Sequence, residues 1–427
     1  MTVDAPSVDS AAPGLAGGHH VVITADSHAG ASHAQYREFL ESEYLEDFDA
    51  WRNRYQNPYR DLAPGDDRRL RNWDNDMRNS QQDADGVVGE VIFPNTVPPF
   101  FPGFVLFAPP PNPEDYEHRL AGIRAHNRWL VDFCAQFPNR RVGLGQIFLN
   151  DVDDAIADAK WIKQNGLKGI LIPPVPPDAH GYIRPLNDPE YDRLWAVCED
   201  LDIPLHTHGG TGSPAYPRFP SSTILHISEL GFYSQRTLVW MILAGVFERF
   251  PRLKLVLTEQ GCFWLQEMGQ RLDGLIRNVK QGSQGELRFT ADMAPPRMAS
   301  EYIHDNVYLG VSMAGPWDVA SRNVVAEGHW MWGSDYPHDE GTYPFSKEHL
   351  RVSMQGLSPE ERNQLLAGNA AALYGFDLGA LAGEAERFGP SVTELDTPLE
   401  QLPDGANQAL AGLFSGTRDP RRQMMVD

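Results

Sequence analysis

The chain has 427 residues with 41% hydrophobic and 22% charged side chains, ordinary values for a globular enzyme with a large core. A net charge of -22 excludes a nucleic-acid binder, since phosphate neutralisation needs a basic face. No apolar run reaches the ~18 residues that would span a bilayer, so no membrane partner is expected. The three cysteines, Cys134, Cys198 and Cys262, are too dispersed for a disulfide framework or a CxxC metal site, which makes a reducing cytoplasm the expected compartment.

In chain order, residues 1–18 are rich in Ala, Gly, Ser, Pro and Asp, without the basic and apolar regions of a secretory leader, and are expected to be a disordered tail. Eight short apolar, β-branched runs follow at 21–24, 90–94, 142–149, 169–172, 203–207, 253–258, 307–311 and 331–333. They run continuously apolar rather than alternating, as strands covered on both faces do. Between them, helices are predicted at 113–136, 152–164, 189–201, 222–250 and 262–281, and a last one over 358–373 opens on Ser-Pro-Glu-Glu. Eight βα units predict an α/β fold, a distorted TIM (β/α)8 barrel spanning 19–375, with an open doubly wound sheet as the alternative. No GxGxxG or P-loop stands at any junction, which weakens a nucleotide-binding sheet. Residues 33–85 read as a lid insertion, 95–112 as a Pro- and Phe-rich loop on the same face, and 376–427 as a C-terminal extension.

The chemistry-bearing residues fall at strand ends. Asp26 and His28 follow the first strand, and side chains two apart on extended backbone point the same way. His206 and His208 repeat the spacing on the fifth strand, Glu259 closes the sixth, and Asp335 with His338 follows the eighth. In a barrel these ends meet on one face, and imidazole with carboxylate suits Zn, Mn or Fe(II). Asp26, His28, His208, Asp335 and Glu259 are therefore the expected ligands of one or two divalent metal ions. Asp335, Glu259, His206 and His338 are the acid–base candidates. Phe100, Phe101, Phe104, Trp264 and Tyr343 could wall an apolar or aromatic substrate, and Arg184 could hold a carboxylate. His226, within a predicted helix, reads as packing.

The segments ADSHAG, GVVGEVIFPNT, LHTHGG, TEQGCFWLQEMGQRLD, WGSDYPHDEGTYP and LAGNAAALYGFD resemble the amidohydrolase-related (amidohydrolase 2) branch of the amidohydrolase superfamily over roughly residues 20–377. That group contains enzymes like aminocarboxymuconate semialdehyde decarboxylase as well as ring-cleavage hydrolases. The resemblance puts Asp26 and His28 at the strand-one HxH pair, His208 at the strand-five histidine and Asp335 at the strand-eight aspartate. Glu259 stands where the family often has histidine, so two positions carry carboxylates instead of imidazoles, a bias toward harder metals. The leading expectation is a hydrolase in which metal-activated water cleaves an amide, ester, thioester or C–C bond next to a carbonyl of a small substrate. Non-oxidative decarboxylation of an aromatic or unsaturated acid is the alternative, and an inactive binding barrel a third. A homodimer is expected from the resemblance.

Overall fold

In the computed structural model the described residues are 14–55, 67–399 and 401–407, apart from 104, 107, 174, 177, 178, 180, 215 and 218. Eight parallel strands form a single sheet: β1 Ile23–Ala29, β2 Gly89–Pro94, β3 Arg141–Gln146, β4 Gly169–Leu171, β5 Leu205–His208, β6 Leu255–Thr258, β7 Val307–Ser312 and β8 Trp330–Gly333. Each pairs with its neighbour in chain order. The sheet closes where β1 meets the residues following β8: Asp335 N donates to Asp26 O at 2.9 Å and His28 N to Tyr336 O at 2.7 Å. This is the expected (β/α)8 barrel, and all eight predicted strands are present.

The apolar runs are explained by burial on both faces. Val91, Val256 and Leu171 belong to the cluster that fills the barrel, together with Tyr374 and Leu381. Their neighbours Ile92, Leu255, Leu257, Ile170 and Ile172 pack outward against helix residues such as Leu130, Ile162 and Trp195. The helix Val152–Gln164 starts where Asp151 accepts from the Asp153 and Asp154 amides at 2.8 and 3.1 Å. The stretch 222–250 is broken into helices Ser222–Ser234, Arg236–Leu243 and Val246–Arg249, with Gly245 left-handed at φ 67° before the last. The last predicted helix contains a π-helical turn, Gln364–Gly368.

Residues 1–13 of the expected tail lie outside the described residues; Leu15–Ala16 pairs with His19–His20 in a small hairpin, and His20 N donates to Pro390 O at 2.9 Å. The C-terminal helix Leu378–Phe388 thereby packs at the N-terminal end of the barrel, away from the strand ends that matter below. Within 33–85, helices His33–Phe39, Leu45–Arg54 and Asn75–Asp85 are described, and 56–66 are not.

Helix Asn75–Asp85 carries a fully buried arginine, Arg78, against the outside of β1 and β2. Its Nε lies 3.0 and 3.1 Å from the Glu90 carboxylate oxygens, and Nη1 donates to His28 O at 2.8 Å and Arg71 O at 2.9 Å. Arg141, Gln82 and the Ser27 hydroxyl complete the shell around Glu90 at 3.2, 2.8 and 2.9 Å. Burial alone would raise the Glu90 carboxyl, but the two guanidiniums hold it down at about 2.

Candidate active site

Two strands deliver their side chains by different routes. In β1 the register against β2 shifts between Thr24 and Ser27, a bulge-like irregularity that re-aims the strand end. Asp26 Oδ1 and His28 Nε2 thereby come within 3.3 Å of each other. β5 is regular, so His206 and His208 share a face but sit a step of roughly 6.6 Å apart along the strand. Only His208 reaches the mouth, with Nε2 3.3 Å from Asp26 Oδ1. His206 sits deeper, bonded to the Tyr374 hydroxyl at 3.0 Å, and burial pulls it down to about 3. It is a neutral core histidine, removed from the acid–base group expected of it.

Asp335 completes the mouth: its Oδ1 lies 3.2 Å from His28 Nε2 and 2.8 Å from His338 Nδ1. Asp335 and Glu259 both adopt left-handed backbone, at φ 61° and 55°, as do Phe100, Asp202 and Met313; such sparsely populated values cluster at functional sites. Asp26, His28, His208 and Asp335 are all essentially buried. The imidazole tautomers follow from their partners. His28 Nδ1–H donates to Pro94 O at 3.3 Å and His208 Nδ1–H to Gly209 O at 2.9 Å. Both Nε2 atoms then face carboxylate oxygens, an arrangement that a shared cation would satisfy. His28 Nε2 and Asp335 Oδ2 have no hydrogen-bond partner among the described residues. Asp26, His28 and His208 make one compact ligand group, and His28, Asp335 and His338 a second sharing His28. The donor set fits a divalent metal.

The electrostatics agree. Burial alone would raise Asp26 and Asp335, yet neighbouring imidazoles hold both carboxyls below the usual range. Burial and the His338 charge oppose protonation of His28, and Asp26 and Asp335 reverse that, raising it. His338 likewise rises to about 10 against burial, because Asp335 faces it. Glu259 goes the other way: burial and the Asp335 charge push it well above the ordinary carboxyl value. Its Oε2 stands 3.4 Å from His208 Nδ1, on the side of the ring away from the point where the ligands converge.

A cavity of about 710 Å³ opens over these groups. His208, Glu259 and His338 form part of its floor, and Arg52, Arg68, Arg69 and Arg71 from the 33–85 insertion line its wall. The expected aromatic walls lie elsewhere. Phe100 packs among Trp51, Phe48 and His118, and Phe101 is buried against Phe148. Trp264 lines a separate groove with Phe232 and Met268. Tyr343 lies under the Arg71 guanidinium at 5.2 Å, and Phe104 is outside the described residues. Arg184 is exposed and pairs with Asp188 at 2.9 Å. His226 sits half-buried beside Tyr216. Site residues that escaped the sequence reading are Ser312, whose hydroxyl donates to Asp26 Oδ2; Asn95, whose Oδ1 lies 3.0 Å from His338 Nε2; and the cavity arginines Arg52, Arg68, Arg69 and Arg71. The first two stand at or just after the ends of β7 and β2, so the strand-end rule that found the ligands also points to them.

A closed (β/α)8 barrel with imidazole and carboxylate side chains that could hold a divalent metal gathered at its C-terminal strand ends is the arrangement of a barrel enzyme whose active site lies at the strand ends. The amidohydrolase family model matches residues 26–376, and the chain belongs to that family. The chain is 24% identical over 324 residues to 2-amino-3-carboxymuconate-6-semialdehyde decarboxylase of Dictyostelium discoideum, covering 71% of this chain and 77% of that protein. It is 25% identical to gamma-resorcylate decarboxylase of Rhizobium radiobacter, over 34% of this chain and 46% of that one. Among solved structures, 5-carboxyvanillate decarboxylase of Novosphingobium aromaticivorans, with bound manganese and 3-methoxy-4-hydroxy-5-nitrobenzoic acid, superposes with a TM-score of 0.62 at 18% identity, covering 83% of this chain and 97% of that chain.

Proposed function

We propose that this chain is a metal-dependent, non-oxidative decarboxylase of an aromatic or unsaturated carboxylic acid, with manganese as the metal. The observation that carries this reading is the cavity wall. In a chain of net charge -22 the cavity wall holds Arg52, Arg69 and Arg71, with Arg68 paired to Asp339 at 2.7 Å, so arginines outnumber the lining carboxylates Glu259, Asp339 and Glu340. Such a wall draws in an anion, as a carboxylic acid requires and a neutral amide or ester does not. The names of the curated relatives support the same chemistry and give no support to the hydrolysis expected first from the sequence.

When bound, a divalent metal supplies positive charge against which the substrate's carboxylate and neighbouring oxygen are held. Asp26, His28, His208 and Asp335 would hold it. Asp335 and His338 share one proton, with Asn95 Oδ1 accepting from His338 Nε2–H. The Asp335 carboxyl delivers that proton to the substrate carbon bearing the carboxylate. The new C–H bond forms, the C–C bond breaks with its electron pair left on that carbon, and neutral CO2 departs. Solvent then returns one proton to the Asp335–His338 pair.

The test is CO2 release by the manganese-loaded full chain on a panel of hydroxybenzoates and unsaturated acids, beside their esters and amides. CO2 from an acid is expected; ester or amide cleavage without CO2 would return the reaction to hydrolysis. The homodimer and the cytoplasmic setting belong to the proposal as well. Light scattering should give about twice the 47.7 kDa chain mass. Among the described residues no helix is long and apolar enough to cross a membrane.

A further inference from the structure

Beside the main cavity lies a smaller chamber of about 40 Å³, and Leu106 borders both. Thr211, on its wall, donates to the carbonyl of His208 at 2.6 Å, so the chamber adjoins the strand end that carries a proposed ligand. Arg119 and Gln146 also line it.

Arg119 is an unusual cation. It is 3% exposed, its ring partners are Phe101 at 4.3 Å and Phe148 at 5.7 Å, and its one hydrogen bond runs from Nη2 to Pro109 O at 2.7 Å. Among the described residues no carboxylate lies within ion-pair distance. Its Nε has no acceptor, and neither does Nε2 of Gln146, itself 4% exposed. Buried charges are ordinarily paired, and buried N–H donors ordinarily satisfied. Burial pulls the Arg119 guanidinium down to about 10, which leaves it charged at neutral pH. Two donors without acceptors, one of them cationic, thus border one small space next to the substrate cavity.

We propose that this chamber is an anion subsite for a second carboxylate of the substrate, one that is kept while the other leaves as CO2, and that Arg119 is the residue selecting for it. The inference rests on the decarboxylase reading for which carboxylate is lost, but not for the binding itself. At about 40 Å³ the chamber takes about three water-sized groups, the size of a carboxylate, so the body of the substrate remains in the main cavity. The guanidinium fork matches a carboxylate's two oxygens, and Gln146 adds a neutral donor.

Isothermal titration of the manganese-loaded full chain with phthalate, isophthalate and terephthalate, each against its acetylbenzoate counterpart, separates the second charge from shape. At least one dicarboxylate should bind about tenfold tighter than its monoanionic partner. Arg119→Met keeps the packing between the two rings and should abolish that difference while leaving acetylbenzoate affinity unchanged. Leu106→Trp, which enlarges the side chain bordering both spaces and leaves Arg119 in place, should do the same and serves if the Met variant does not fold. Equal affinities in the wild type, or a preference that persists in either folded variant, would overturn the subsite. Dicarboxylate preference without CO2 release from any acid would sink the reaction and leave the subsite standing; CO2 release without the preference would do the reverse.

Discussion

Replacing Arg78 by Met removes the cation from the buried cluster outside β1 and β2. Arg78 is 0% exposed and Glu90 1%, so solvent cannot take over the lost contacts. Removing one partner of a buried ion pair costs about 3–5 kcal/mol, because the remaining charge is stranded. Here Glu90 keeps Arg141 at 3.2 Å and Gln82 at 2.8 Å, which argues for the lower end from the carboxylate alone. The carbonyls of His28 and Arg71 also lose their donor at 2.8 and 2.9 Å, adding about 1–3 kcal/mol for each that stays dry. The expected loss is therefore about 3 kcal/mol if both carbonyls are rehydrated and about 5–9 kcal/mol if both stay dry, read from urea midpoints by circular dichroism on the metal-free protein. Adding Glu90→Gln removes the stranded charge and should recover at least half of the carboxylate's part of it. A loss under about 1 kcal/mol, or a double variant worse than the single, would refute the claim that the pair is electrostatically interdependent.

Four further outcomes follow from the site and the core. Asp335→Asn should lower turnover by about 10²–10⁴-fold while largely sparing metal content; normal kcat with an accepted substrate removes Asp335 from proton transfer. Glu259→Gln should leave metal content by elemental analysis unchanged, because Glu259 faces the far nitrogen of His208; loss of an equivalent would make it a ligand. Burial holds His126 and His206 at about 3, so below pH 6.5 the unfolded chain binds protons that the folded chain refuses. Each histidine should then cost about 1.4 kcal/mol per pH unit as pH falls from 6.5 toward 3, seen as a melting temperature that drops between pH 7 and 5. Stripping metal with a chelator should lower the melting point, since saturation at about 1,000 times Kd is worth about 4 kcal/mol; identical melts with and without manganese would deny the site.

The barrel was legible because its cause is local: a strand covered on both faces needs an unbroken apolar run, and each of the eight has one. The ligands were legible for a related reason, since a (β/α)8 barrel gathers its strand ends whatever the loops do. Depth was not legible. The i, i+2 rule treats Asp26/His28 and His206/His208 alike, and only the bulge in β1 brings the first pair together at one level. The cavity wall was not legible either. Phe100 and Trp264 are drawn into packing by neighbours far away in sequence, and the arginines that do line the cavity come from an insertion with no periodic pattern to mark it.

The barrel seam has a consequence for how the protein matures. Asp26 and His28 emerge first from the ribosome and Asp335 more than three hundred residues later, yet the backbone bonds that zip β1 to the end of β8 are the ones flanking these side chains. A nascent chain offers, at most, the incomplete set of Asp26, His28 and His208, and an ion caught there is free to leave. If these four side chains hold the metal as proposed, its full ligand set exists only once the last strand has docked, and metal occupancy would act as a receipt for a finished barrel.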